Sequence, residues 1–229
     1  MEFKKICGGY LENGELRINE NNFRLLGKVM YHFSVVESTN KVAISLAERD
    51  GKEGTLILAD EQISGEGRMG RKWFSPPGGL WFSLILHPTC PLNLLSFYPV
   101  MGAIAIKQTI EKIYPSCPVQ ISWPNDVMVK NKKIAGVMCK IKIKGGKLKF
   151  SILGIGVNLN IEHFPFSLQD NATSLFLETR QLISPSYFLD ILLDNLEILY
   201  FLSKTDLSLF LDKIKQFLPF IKNKVQIAI

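Results

Sequence analysis

The chain has 229 residues, of which 47% are hydrophobic and 21% charged, enough apolar surface for one sizeable core and too much for wholesale disorder. Twenty-seven basic against 21 acidic residues give a net charge of +6, which permits a polyanionic partner without requiring one. No apolar run approaches the ~18 residues that cross a bilayer, no apolar stretch follows the N-terminal lysines as in an export signal, and four scattered cysteines (Cys7, Cys90, Cys117, Cys139) read as reduced thiols, so a cytoplasmic protein is expected.

In chain order, residues 29–33 are rich in strand formers and lead into Ser38-Thr39-Asn40, where Ser38 or Thr39 can cap a helix over 41–49. Gly51 and Gly54 end that helix, and 55–59 is a short buried strand. Residues 60–72 are polar, glycine-rich and without periodicity, which makes them a loop. A second apolar strand spans 80–86 and is closed by His87-Pro88. A helix over 99–113 carries Pro99 in its first turn, where the missing N–H costs nothing. Strands over 119–122, 127–129, 134–143 and 147–157 follow with short turns, the last two joined at Gly145-Gly146. Amphipathic helices span 187–202 and 207–217, the second stopped by Pro219, and 225–229 begins another strand. Hairpin-linked strands after a few helices predict an α+β fold with a mixed, mostly antiparallel sheet flanked by helices.

The densest positive cluster, Lys140, Lys142, Lys144, Lys147 and Lys149 with its neighbours, alternates with apolar residues. A period of two marks a strand with one wet face, so these lysines read as a solvated ribbon rather than a nucleic-acid surface. The histidines His32, His87 and His163 lie far apart, and no metal site is expected.

Four segments carry chemistry. In Gly65-Glu66-Gly67-Arg68-Met69-Gly70-Arg71-Lys72-Trp73, glycines free the backbone to wrap a ligand while Arg68 and Arg71 can grip phosphate or carboxylate. A mobile surface loop has the same composition, so the arginines and Trp73 make the difference. Ser122-Trp123-Pro124-Asn125-Asp126 is a rigid turn that puts Asn125 and Asp126 at a strand start, although an ordinary Asx turn looks alike. Lys133, three residues before Gly136, leads a buried strand, and strict alternation sets Lys132 on the opposite face. Gly154-Ile155-Gly156-Val157-Asn158 interrupts a strand with glycines, as a ligand approach or a bulge would. No Ser/His/Asp or paired-carboxylate pattern accompanies them. The inventory grips anions and lacks a nucleophile, which fits nucleotide activation.

In this order the segments resemble a biotin–protein ligase. The family pattern is Ser-Thr-Asn before a helix, a Gly-Arg-Gly-Arg-x-Gly-Arg loop followed by Lys-Trp, Lys-Trp-Pro-Asn-Asp, a lysine with glycine three residues on, then Gly-x-Gly-x-Asn. The resemblance implies the fold of class II tRNA synthetases and of biotin and lipoate ligases. It implies two reactions: biotin and ATP with Mg²⁺ give biotinyl-5′-adenylate and pyrophosphate, and the biotinyl group passes to a lysine of a biotin carboxyl carrier protein of acetyl-CoA carboxylase or a related carboxylase. It assigns Ser38, Thr39, Asn40, Gln62, Gly65, Gly67, Arg68, Lys133, Gly136, Gly154 and Gly156 to biotin. Arg71, Trp73, Asn125, Asp126, Lys133 and Asn158 go to the nucleotide. Lys133, Arg68 and Arg71 are the expected catalytic residues, with no metal ligands.

Glu66 stands where the pattern has arginine, Met69 where a further arginine is frequent, and Ser122 where the pattern has lysine, and each loses positive charge. Residues 1–222 are expected to form the catalytic domain and 223–229 the first strand of an SH3-like domain that is absent or truncated. No helix-turn-helix is expected before residue 29, hence no DNA partner. A lipoate ligase and a non-catalytic biotin- or adenylate-binding module are the rival readings, and an exposed edge over 134–143 suits a second copy or the carrier.

Overall fold

A computed structural model describes residues 25–217 in full, and the backbone of 10–12 and 15–17. The strand expected over 225–229, the stop at Pro219 and most of the segment before residue 29 lie outside the described residues.

Nine strands form one sheet: β1 (Tyr10–Glu12), β2 (Glu15–Arg17), β3 (Val29–Val36), β4 (Leu56–Gln62), β5 (Leu80–Leu86), β6 (Val119–Ser122), β7 (Asp126–Val129), β8 (Lys132–Lys144) and β9 (Lys147–Val157). Their order is β1-β2-β3-β4-β5-β9-β8-β7-β6, and only β3 and β4 run parallel. Around it pack α1 (Thr39–Glu48), α2 (Tyr98–Ile113), α3 (Leu175–Thr179), α4 (Pro185–Thr205) and α5 (Leu207–Gln216). The parallel pair follows from α1, the crossover between β3 and β4. β6–β7, β7–β8 and β8–β9 are hairpins, and Gly145 and Gly146 (φ +57° and +73°) make the β8–β9 turn.

Alternation divides the sheet between two layers. Phe82, Leu84, Leu153 and Ile155 face α2, α4 and α5 in the main core. Ile57, Ile85, Phe150 and Ile152 face Ala43 and Ala47 of α1, a ten-residue helix too short to cover its side. Beyond the N-terminus of α1, the strand face therefore stays open between β5, β9 and β8.

Several local outcomes differ from the sequence reading. β4 runs on to Gln62, because its last residues pair with β3, as in Val36 with Gln62. Ser38 occupies the N-cap position in extended backbone but its side chain does not cap. The turn after α1 puts Asp50 (φ +65°) in the left-handed region. The short helix α3 carried no periodic signal.

One irregularity aims a key side chain. Val127 and Met128 are consecutive in β7, yet face Ala135 and Lys133 of β8, leaving Ile134 without an opposite residue. Ile134 and Ala135 both enter the main core. The bulge thus reverses the alternation, and Lys133 lies on the face of Gly136 instead of following Ala135 and Val137 inward.

Candidate active site

The open strand face is floored by two glycines of β9. A Cβ on Gly154 would sit 2.3 Å from Asn40 Oδ1, and one on Gly156 would sit 2.5 Å from Trp73 Nε1. Only a residue without a side chain lets α1 and the indole approach this closely. Trp73 lies edge-on to Trp81 at 6.4 Å between ring centroids, and Trp81 is fully buried.

A polar network lines the inner end. Thr39 donates through its backbone N–H (2.9 Å) and its hydroxyl (3.1 Å) to Gln62 Oε1, and Gln62 Nε2 donates to Ser75 Oγ at 2.8 Å. Ser83 Oγ lies 2.8 Å from Thr39 Oγ1 and 2.9 Å from Asn40 Oδ1, while Asn40 Nδ2 reaches Met138 Sδ at 3.2 Å. Thr39, Asn40 and Ser83 are buried. Such a cluster supplies donors and acceptors to a polar ring at little cost, because its members already satisfy one another.

The glycine-rich segment folds back on itself. Gly67 N–H donates to Arg71 O (2.7 Å), Trp73 N–H to Gly65 O (2.8 Å) and Gln62 N–H to Ser75 O (3.0 Å). Ile63 and Ser64 bind its base to Val36 and Glu37. Met69, exposed at the tip, adopts φ +57°. Arg68 donates to Asn125 Oδ1, and Glu66 pairs with Lys140.

Lys133 Nζ is 2.7 Å from Asp126 Oδ1 and 5.0 Å from the centroid of the Trp73 ring. Asn125 Nδ2 donates to the same Asp126 oxygen at 2.8 Å. Asp126 stands directly across from Gly136 in the β7–β8 register, so the lysine and its carboxylate partner come from one short hairpin.

Two adjoining cavities result. The inner, smaller one is lined by Thr39, Asn40, Gln62, Glu66, Met138 and the glycines 136, 154 and 156, among others. In the outer one Arg71, Lys72, Asp126 and Asn158 stand beside the aromatic rings of Phe74, Trp123 and Phe164. Gly67, Arg68, Trp73, Asn125 and Lys133 border both.

Among the residues assigned to biotin, Thr39, Asn40, Gln62, Gly67, Arg68, Lys133, Gly136, Gly154 and Gly156 line the inner cavity. Ser38 and Gly65 are set back from it: Ser38 is fully buried, with no partner for its Oγ, and Gly65 packs on Trp73 O and Ser75 Oγ. All six residues assigned to the nucleotide line the outer cavity. Asn158 is committed elsewhere, its amide donating to Thr173 O at 2.9 Å, so it holds the 171–174 segment against the start of β8. Ser83, Met138, Phe74 and Phe164 were missed. A lone serine in the apolar run of β5 was the available signal for Ser83; irregular 158–174 offered none for Phe164.

No group of three or more His, Cys, Asp and Glu residues among the described residues is placed to hold a metal ion, and none of the described helices is long and apolar enough to cross a membrane.

Residues 32–158 match the biotin/lipoate A/B protein ligase family. The bifunctional ligase/repressor BirA of Bacillus subtilis is 37% identical over 170 residues, 73% of this chain and 52% of that protein. The biotin–[acetyl-CoA-carboxylase] ligase of Paracoccus denitrificans is 32% identical over 161 residues, 68% of this chain and 66% of that protein. Among solved structures, a biotin protein ligase from Aquifex aeolicus in complex with biotin and ATP superimposes with a TM-score of 0.70 and 32% identity, over 82% of this chain and 77% of that one. The chain spans about half the length of the Bacillus relative.

Proposed function

This chain belongs to the biotin/lipoate A/B protein ligase family, and from that membership and the paired cavities we propose that it activates biotin with ATP and passes the biotinyl group to a carrier protein. The supporting observation is Lys133, whose ammonium stands where the two cavities meet. Biotin in the inner cavity would present its carboxylate there, and ATP in the outer cavity its α-phosphate. A carboxylate oxygen attacks the α-phosphorus, the bond to the β-phosphate oxygen breaks, and pyrophosphate leaves with Mg²⁺ as part of the substrate complex. Lys133 and Arg68 offset the charge that concentrates as two anions meet. In the second step a carrier lysine amine attacks the acyl carbon, AMP leaves, and the nitrogen loses a proton.

The polar inner network favours biotin over lipoate. A ureido ring offers donors and an acceptor to Thr39, Asn40 and Gln62, which line the inner cavity, whereas a dithiolane offers them none. The aromatic walls of the outer cavity suit a purine. Beyond Gly136, β8 has no β7 partner, and its free edge bears half-exposed Ile141 and Ile143 beside a row of lysines. That edge suits a carboxylase carrier domain in the cytosol, or a second copy of the chain.

The test is biotin-dependent exchange of labelled pyrophosphate into ATP. Exchange with biotin and none with lipoate is expected. Exchange with lipoate alone would favour a lipoate ligase, and biotin binding without exchange a non-catalytic module.

A further inference from the structure

The glycine-rich loop carries an acid where the family pattern has an arginine, and the fold supplies that acid with a partner. Glu66 bridges Lys72 through its backbone, lines the inner cavity, and pairs through its carboxylate with Lys140 of β8. Lys140 lies on the same strand face as Gly136 and Met138, which floor the cavity. The side chains of Lys140 and Glu66 are 34% and 27% exposed, so the pair is partly screened from water.

Among the described residues, two side-chain ties reach from loop residues 64–72 to the β7–β8 side of the site: Glu66 to Lys140 and Arg68 to Asn125. Arg68 borders both cavities, and beyond the N–H it gives to Asn125 its guanidinium keeps donors for an anion, so its position also answers to what is bound. The Glu66–Lys140 tie asks nothing of the ligand. It joins the rising limb of the loop to β8, the strand beneath the cavity. An arginine at position 66 would instead face Lys140 with like charge.

We propose that Glu66 and Lys140 are positioning residues whose ion pair holds the loop closed over the inner cavity and sets how long the acyl-adenylate is retained. The proposal rests on the biotin-activation reading above. It carries a counterintuitive consequence: restoring the family's usual arginine should weaken retention.

The experiment uses the whole chain and a non-hydrolysable biotinyl-adenylate analogue, with dissociation followed by tryptophan fluorescence, since Trp73 borders both cavities. E66Q and K140A should each speed dissociation about two- to fivefold, the range for a partly exposed ion pair. E66R should speed it further, and the double variant E66R/K140E should return within about twofold of the wild type. Raising salt should speed release from the wild type and leave K140A nearly unchanged. A merely structural role would lower the melting temperature of the single variants and leave dissociation unchanged, which overturns the proposal. Dissociation from E66R no faster than from the wild type, or a double variant no slower than E66R, overturns the proposal. A wild type that does not retain the analogue overturns the biotin reading, and the latch falls with it.

Discussion

Replacing Lys133 with alanine separates chemistry from stability at this site. The ammonium lies 2.7 Å from Asp126 Oδ1, and both side chains are 30% exposed, so the pair contributes on the scale of a surface ion pair, about 0–1 kcal/mol. Asp126 keeps the amide of Asn125 at 2.8 Å after the change, so no buried charge is stranded. The fold should survive with a melting temperature lower by a few degrees at most. Catalysis should suffer far more, because the same charge stands where carboxylate and phosphate must meet. Loss of one positioned donor from a reacting centre costs about 10²–10³-fold in rate. Lys132 is the internal control, since its Nζ donates to Gln169 O at 2.7 Å and the residue lines neither cavity. Pyrophosphate exchange on Lys133→Ala and Lys132→Ala, with circular dichroism on both, measures the two effects together. If Lys132→Ala is the inactive variant, the bulge at Ile134 does not aim the strand as described. If neither loses activity, the reacting centre is not between these cavities.

Ser83→Ala removes the hydroxyl shared by Thr39 and Asn40, and should weaken biotin binding by about 1–3 kcal/mol in titration calorimetry, as expected when polar partners are left unpaired; an unchanged affinity would remove this network from the binding site. Limited proteolysis after Arg68 or Arg71 should slow when biotin and ATP are added, because freezing a glycine-rich loop costs about 1–2 kcal/mol per residue and ligand contacts offset it; equal cleavage with and without ligand would refute this. Glu53 accepts from Lys204 (2.7 Å) and Tyr200 (2.5 Å) at the foot of α4. Burial pushes its carboxyl up, but the bonds from Lys204 and Tyr200 outweigh burial and hold it below the ordinary range. Its stabilisation is therefore complete above the unfolded carboxyl's value of about 4.3 and is lost as pH falls through the lower folded value. Glu53→Gln should cost about 1–2 kcal/mol in urea unfolding at pH 7 and flatten the loss of stability below pH ~4; identical acid limbs would contradict that assignment.

Much of this protein was legible in its residue pattern. The apolar run 80–86, the alternation over 147–157 and the Gly145-Gly146 turn each encode an element through local physics, and the structure places strands and turn there. The order of five short motifs was enough to point to a family, and nearly all of the residues nominated with them meet in two adjoining cavities. What local pattern could not settle was anything that depends on partners distant in sequence. Strict alternation would send Lys133 into the core with Ala135; only pairing with β7, which leaves Ile134 unopposed, turns it toward the ligand face. Glu66 read as a lost positive charge until β8 brought Lys140 beside it, 74 residues away. Asn158 lines the outer cavity as expected of a ligand contact, and the fold gives its amide a second task, holding Thr173, that no local pattern announced. Sequence determined which groups exist and which elements carry them. The register of the sheet decided which groups face one another, because a strand's neighbours, and any residue left over between them, are set by the whole pairing and not by the strand itself.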